Sequence, residues 1–149
     1  VADIGALVIA SEIIAADFGA ETADGGFLPV ESLGFGFSRV PADAALAERL
    51  TAGLKRAGLP VCSGPILTVS TATGTAETAA ALAARHPGAA AEAMEGFGVA
   101  CAAREFGVPV LEIRAVSNRV GPRDRAAWRI AEALGALRAA GKIIAEVFR

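Results

Sequence analysis

Apolar runs typical of buried strands alternate with helix-like segments along most of the chain, and this order limits the possible folds more than any other feature. The predicted strands are residues 6–10, 65–70, 89–94 and 108–114. The first predicted helix starts near Pro41 and ends at Gly58-Leu59-Pro60, with Leu46, Leu50 and Leu54 at helical spacing. Three more helices are predicted at about 75–85, 96–106 and 126–148. The sequence therefore predicts an α/β fold with a mixed, largely parallel central sheet flanked by helices.

Two parts of this pattern carry further detail. Residues 17–39 are rich in Gly and Phe and predict short strands and loops, with a turn at 24–26. The last helix is predicted to have an apolar side formed by Ile130, Leu134, Leu137 and Ile144.

Composition excludes several classes of protein. The chain is 54% hydrophobic, but no stretch approaches the roughly 18 consecutive apolar residues that a membrane helix needs. Its 14 basic and 16 acidic residues are interspersed, which leaves no charged patch for nucleic acid or an anionic membrane and favours a small molecule or a protein as partner. Cys62, Cys101 and a lone His86 are too few for a disulfide framework or a zinc site, so we expect no metal, no cofactor and a reducing cytoplasm.

The length of 149 residues fits one domain, which we take as residues 1–149. The chain starts at Val1, without Met, and a strand-like run follows almost at once. We therefore expect a single domain that lacks its amino-terminal strands.

Polar side chains follow three of the predicted strands. These groups are Ser70-Thr71-Ala72-Thr73, Met94-Glu95 and Arg114-Ala115-Val116-Ser117-Asn118. Ligands of such sheets bind outside the carboxyl ends of the strands, so we expect the three groups to converge there on one site.

Each charged or amide side chain of these groups has two interpretations. The Glu95 carboxylate can accept two hydrogen bonds from a vicinal diol such as that of ribose, or it can favour the positive end of the next helix. Arg114 can pair structurally with Glu112, or it can orient a carboxylate of the site. Asn118 can bind a ligand, or it can only begin the turn that contains Gly121-Pro122.

Several of these motifs together resemble a known family. Ala93-Met94-Glu95-Gly96, Gly107-Val108-Pro109 and Arg114 to Asn118 occur in the order and spacing of the nucleoside phosphorylase and nucleosidase superfamily. The string from Leu111 to Arg125, followed by Trp128, resembles futalosine hydrolases of menaquinone biosynthesis, and so does Ile9-Ala10-Ser11-Glu12.

The resemblance implies roles for the residues that match. Met94 would pack against the ribose and Glu95 would hold its hydroxyls, with Arg114 beside them. Ser70, Thr71 and Thr73 match the base-binding turn. Relatives that release adenine carry an aromatic residue in that turn, where this chain has Ala72 and Thr73.

Asn118, with Ser117 before it, stands where relatives that release adenine have an Asp. An amide can donate to O6 of a 6-oxopurine and accept from a protonated N7, so Asn118 indicates hypoxanthine as the base. The resemblance implies hydrolysis of the N-glycosidic bond of futalosine. Asn118 would bind the leaving base and Glu95 the sugar, while a glutamate ahead of this chain would activate the water.

The segment 119–128 would form a lid over the substrate. Arg123 and Trp128 could recognise the aryl carboxylate at the far end of futalosine by ion pairing and stacking. In the alternative interpretation Asp124 caps the last helix and Trp128 fills the core beneath it.

Two other functions stay open from the sequence. One is a purine nucleoside phosphorylase that acts on 6-oxopurine nucleosides, and the other is a non-catalytic purine-binding fragment. Family resemblance also implies a homo-oligomer, for which residues 17–39 are a candidate contact region.

Overall fold

A computed structural model describes residues 2–149 and confirms the alternation of strands and helices. The strands are β1 (Leu7–Ala15), β2 (Gly19–Glu21), β3 (Phe27–Pro29), β4 (Arg39–Pro41), β5 (Val61–Thr68), β6 (Ala91–Ala93) and β7 (Ile113–Ala115). The helices are α1 (Ala44–Arg56), α2 (Ala76–Arg85), α3 (Gly96–Glu105) and α4 (Ile130–Val147), and two short 3₁₀ turns occupy Val30–Leu33 and Arg125–Ala127.

The central sheet is built around β1. One edge of β1 pairs in parallel with β5, and β5 pairs in parallel with β6. The other edge is shared by two short antiparallel strands, with β7 opposite residues 7–9 and β4 opposite residues 12–14. The hairpin of β2 and β3 forms a separate two-stranded sheet. The longest pairing is parallel, so the predicted mixed, largely parallel sheet is confirmed.

The core is formed on both faces of β1, which explains why this strand is almost continuously apolar. On one face Val8, Ala10 and Ile13 pack with Ile66 of β5 and Ala100 of α3. On the other face Leu7 and Ile9 pack with the helices, through Leu50 and Leu54 of α1 and Ala140 of α4. The leucine spacing therefore identified α1 and its buried side correctly.

Side-chain caps set the start of two helices. Asp43 accepts a hydrogen bond from the backbone N–H of Leu46 at the start of α1, and Thr75 accepts one from Thr78 at the start of α2. Among the helices of residues 2–149, none combines the length and hydropathy that crossing a bilayer requires.

The predicted strand at 108–114 is wrong in extent. Only Ile113–Ala115 forms a strand, and the residues before it reach the fold through separate backbone bonds. Val110 accepts from the N–H of Asp43, and Glu112 accepts from the N–H of Ala10. Pro109 has no N–H to donate, which interrupts a continuous ladder at this point.

The last helix is also shorter than predicted, and it packs on the core with a different side from the one predicted to be apolar. It begins at Ile130, after the 3₁₀ turn at Arg125–Ala127 and an extended residue at Trp128. Ile130, Leu134 and Leu137 are exposed, and of the four predicted apolar positions only Ile144 packs on the core. Ala133 and Ala140 of α4 are buried instead, because small side chains let the helix lie close to α1 and β7.

Candidate active site

One large cavity of about 1020 Å³ gathers most of the side chains that the sequence singled out. Thr73, Met94 and Glu95 line it from the segments that follow β5 and β6. The segment from β7 onward contributes Arg114, Ser117, Asn118, Arg123 and Trp128. A nucleoside is small enough for this volume, since ligand pockets are typically about 300–1,000 Å³.

The predicted convergence of three carboxyl ends at one edge of the sheet is wrong for β7. β5 and β6 run parallel, so their carboxyl ends do lie at the same edge. β7 runs antiparallel to β1, and Ala115 at its end pairs with Leu7 at the beginning of β1. The groups still meet because the cavity extends along the sheet, from residues 2–4 ahead of β1 past β6 and α2.

An ion-pair network joins Glu95 to the buried part of the fold. The Nη1 atom of Arg114 lies 2.8 Å from Glu95 Oε2, and its Nε atom lies 2.7 Å from Glu112 Oε1. The exposed fraction of the side chain falls from 67% at Glu95 through 31% at Arg114 to 8% at Glu112. Arg114 therefore does both things that its spacing allowed, pairing with Glu112 and orienting a carboxylate of the cavity.

The two carboxylates set the electrostatics of Arg114. Burial alone would lower the pKa of the guanidinium. Hydrogen bonds and charge from Glu112, and then from Glu95, outweigh burial and raise the pKa of Arg114 above its ordinary value. Arg114 therefore stays charged throughout the physiological range.

Helix capping does not account for Glu95. The residue precedes α3, but within residues 2–149 its side chain makes no capping hydrogen bond. The N–H of Phe97 in the first turn of α3 donates instead to Thr68 Oγ1 at 2.9 Å. The Glu95 carboxylate is thus directed to Arg114 and the cavity.

The amide of Asn118 is held in one orientation by its chain neighbours. Its Oδ1 accepts from the hydroxyl of Ser117 at 2.7 Å, and its Nδ2 donates to the carbonyl oxygen of Arg119 at 2.9 Å. An amide has two N–H donors and two acceptor lone pairs, so one donor and one acceptor are left over. These are the two groups that the O6 and the protonated N7 of a 6-oxopurine require.

The predicted base-binding turn is not brought to the cavity as a unit. Thr73 is buried and lines the large cavity, whereas Ser70 lines a second, shallower depression of about 400 Å³ together with Met94 and Phe97. Ser70 is tied to the fold through its N–H, which donates to Asp17 Oδ2 at 2.6 Å. Thr71 is exposed and borders neither of these two cavities of the described chain.

Sequence reasoning missed one residue of the cavity wall, Glu92 in β6. Its carboxylate accepts from both the N–H and the hydroxyl of Thr73, at 2.9 and 2.5 Å, and so fixes the end of the turn. A carboxylate between Ala91 and Ala93 in a short apolar run was the available signal, because a half-buried charge needs partners.

The proposed lid has a stacked cluster at its centre. The guanidinium carbons of Arg123 and Arg125 lie 5.4 and 5.7 Å from the centre of the Trp128 ring. Trp128 is half-buried and lines the cavity, so it does not fill the core. Asp124 caps the 3₁₀ turn through the N–H of Ala126, so its predicted alternative role as the cap of the last helix is wrong.

A match to a family model decides the family. Residues 2–149 match the model described as the phosphorylase superfamily. The chain belongs to the phosphorylase superfamily. The resemblance seen in its motifs is therefore confirmed at that level.

Three curated members of the superfamily are similar over nearly the whole chain. The futalosine hydrolase of Streptomyces coelicolor is 60% identical over 95% of this chain and 58% of its own length. That of Acidothermus cellulolyticus is 51% identical over 90% of this chain and 54% of its own, and that of Thermus thermophilus is 43% identical over 96% and 63%. The chain thus spans little more than half the length of these relatives.

Solved structures of the superfamily share the fold at low identity. The native futalosine hydrolase of Helicobacter pylori matches with a TM-score of 0.77 and 19% identity, over 98% of this chain and 60% of that one. A 5′-methylthioadenosine/S-adenosylhomocysteine nucleosidase from Colwellia psychrerythraea, in complex with adenine, matches with a TM-score of 0.79 and 21% identity, over 97% and 60%. These likenesses confirm the α/β superfamily fold.

Proposed function

We propose that this chain is part of a nucleosidase that hydrolyses the N-glycosidic bond of futalosine and releases hypoxanthine, a step of menaquinone biosynthesis. One observation carries the proposal: Glu95 and Asn118 line the same cavity. The names of the three similar curated relatives support futalosine as the substrate.

Glu95 binds the sugar in this proposal. Arg114 occupies one of its carboxylate oxygens, and the remaining acceptor sites suit the 2′,3′ diol of ribose. Met94, which is 50% exposed beside it, packs against the ring. Holding the ring in a reactive geometry lowers the barrier to an oxocarbenium-like transition state.

Asn118 stabilises the leaving base. As the bond between C1′ and N9 breaks, negative charge develops on the purine. The spare N–H of the amide donates to O6, and its oxygen accepts from a protonated N7. Adenine presents a donor where hypoxanthine has O6, so it would leave a polar group unpaired.

Water completes the reaction at C1′. Its oxygen bonds to the anomeric carbon and one of its protons passes to a general base. The bond between C1′ and N9 breaks while N7 takes up a proton from solvent, so the purine leaves as neutral hypoxanthine. We propose that this general base, and the strands that complete the single domain, belong to a segment ahead of Val1 in the gene product. The shares of the relatives that this chain spans, 54–63%, support that arrangement.

The far end of the cavity suits the rest of futalosine. Arg123 and Trp128 offer a positive charge and an aromatic face for the aryl carboxylate beyond the ribose.

The test is an assay of the complete gene product, with and without phosphate, on futalosine, inosine and adenosine. We expect hypoxanthine release from futalosine without phosphate, and a shift of preference toward adenosine in Asn118→Asp. A strict phosphate requirement with inosine would replace this proposal with a phosphorylase. Purine binding without turnover would replace it with a non-catalytic module, and an unchanged preference in Asn118→Asp would remove Asn118 from its role.

We also propose a homo-oligomer in the cytoplasm, with a contact through residues 17–39. The support is exposed apolar surface in that region, where Phe18 is 48%, Leu28 41% and Phe35 78% exposed. Sedimentation velocity of the gene product and of Phe35→Glu measures the outcome. A parent protein that sediments as a monomer would contradict the oligomer, and an equally associated variant would contradict the contact.

A further inference from the structure

Glu112 is a buried carboxylate that the proposed mechanism does not use. Its side chain is 8% exposed, and its Oε1 accepts from Arg114. Its Oε2 has no hydrogen-bond partner among residues 2–149. A buried carboxylate with one unpaired oxygen is costly in free energy, and Arg114 is its charge partner.

The carboxylate of Glu112 occupies space left by Gly96. A Cβ added to Gly96 would overlap both carboxylate oxygens of Glu112. The backbone of Gly96 lies outside the left-handed region, so glycine is not required there for its conformation. The missing side chain at the first position of α3, directly after Glu95, is therefore what admits the Glu112 carboxylate.

We propose that Glu112 is a positioning residue that aims Glu95 at the sugar through Arg114, in space that Gly96 provides. The inference rests on the proposed function, because it assigns a purpose to the carboxylate that binds the diol. Glu112 acts only through Arg114 and does not line the cavity.

The geometry explains why Glu95 needs this support. An exposed ion pair alone contributes little free energy and leaves both side chains free to move. A guanidinium is planar, so fixing its Nε fixes the direction of its other N–H groups. Glu112, held among buried residues, therefore sets the direction in which Nη1 of Arg114 meets Glu95.

We call the chain of contacts from Glu112 through Arg114 to Glu95 the relay. Gly96→Ala tests the space that admits Glu112, and Glu112→Val tests the carboxylate itself, both in the complete gene product. Each change displaces or removes the Glu112 carboxylate, so each should lower kcat/KM for the ribonucleoside about tenfold, the size expected for one charge-assisted hydrogen bond. The double variant should be no worse than either single variant, because both remove the same contact. Losses that multiply in the double variant would overturn the coupling of Gly96 to Glu112.

A substrate without the 2′ hydroxyl separates positioning from general damage. We measure kcat/KM for the ribonucleoside and for its 2′-deoxy analogue in the parent, Glu112→Gln and the control Glu132→Gln. Glu132 is an exposed carboxylate on α4 whose partner is Arg129. The preference for the ribose form should fall about tenfold in Glu112→Gln and stay at the parent value in Glu132→Gln.

An equal loss on both substrates in Glu112→Gln would show a merely structural role and overturn the relay. Glu112→Gln keeps the shape of the side chain, so it carries the test if Gly96→Ala does not fold. Calorimetric binding of ribo- and 2′-deoxyinosine gives a readout that does not need turnover. If the parent binds nucleosides without turnover and Glu112→Gln loses the preference for ribose, the nucleosidase proposal is contradicted and the relay is supported. A parent that binds no nucleoside would remove both.

Discussion

The two ends of the cavity are held by different kinds of contact. At the end that we propose binds the sugar, Glu112 is almost fully buried and holds Arg114, which in turn holds Glu95, through contacts of 2.7 and 2.8 Å. At the far end, the exposed side chain of Arg123 lies over the Trp128 ring at 5.4 Å.

These contacts differ in how tightly they define a geometry. A buried, charged hydrogen bond fixes one arrangement, whereas exposed cation–π stacking contributes about 0.5–1 kcal/mol and permits several. In the proposed function, the rigid contacts lie where the sugar ring must be held in one conformation. The adjustable contacts lie where the longer substituent of the proposed substrate would enter.

The largest expected effect is that of Glu95→Ala. Loss of the carboxylate removes the grip on the sugar, so kcat/KM for futalosine should fall about 100- to 1000-fold. Steady-state kinetics of the complete gene product measures it, with a thermal melt to confirm folding. A loss below tenfold would mean that the sugar end is not the rigid end.

The next largest expected effect is a difference in the free energy of unfolding between variants at the two ends of the cavity. Arg114→Ala leaves the buried Glu112 without its charge partner and should lower the free energy of unfolding by about 2–3 kcal/mol, less than for a fully buried pair because Arg114 is 31% exposed. Arg123→Ala removes only exposed stacking and should cost less than about 1 kcal/mol. Urea unfolding of both variants gives the comparison, and equal costs would contradict it.

Trp128→Ala should weaken binding of the longer substrate, futalosine, and not of inosine. Loss of the aromatic face should raise KM for futalosine about five- to tenfold, the size of one stacking contact, and leave KM for inosine unchanged. Parallel kinetics with the two nucleosides measures the ratio. The same rise with inosine would place Trp128 at the base or the sugar instead.

The smallest expected effect lies outside the cavity, at His86. Burial, and then the charges of Arg39 and Arg85, lower the pKa of His86, against the opposing influence of the Ala16 carbonyl and Glu12. The unfolded chain therefore takes up a proton near pH 6.5, while the folded protein does so only at lower pH. The contribution of His86 to stability is complete above pH 6.5 and is lost as the pH falls through the folded value.

Unfolding free energies at pH 7.5 and 5.5 check this for the parent and for His86→Gln. The difference between the two pH values should be smaller in the variant. An unchanged difference would assign the acid sensitivity to other groups, including those of the cavity.

Much of the fold follows from local signals. The apolar run of residues 7–10 in β1 and the leucine spacing of α1 reflect burial that each segment must find in any case. The direction of β7 could not be read in the same way, because an apolar strand carries no signal for parallel or antiparallel pairing. The buried side of α4 was missed because close packing buries Ala133 and Ala140 rather than the leucines of this helix.

The lining of the cavity was predictable at the level of residues and less so at the level of contacts. The motifs named Glu95, Arg114 and Asn118, all of which line the cavity. The partnership of Gly96 with Glu112 depends on how α3 packs against the residue before β7, which no spacing within either segment encodes.

A crystal structure of the complete protein with a non-hydrolysable 6-oxopurine nucleoside tests the central claim most directly. The account predicts O6 and N7 of the base within about 3.2 Å of the Asn118 amide, and the 2′ and 3′ hydroxyls at the same distance from Glu95. A nucleoside bound with its base away from Asn118, or with its diol away from Glu95, would contradict it.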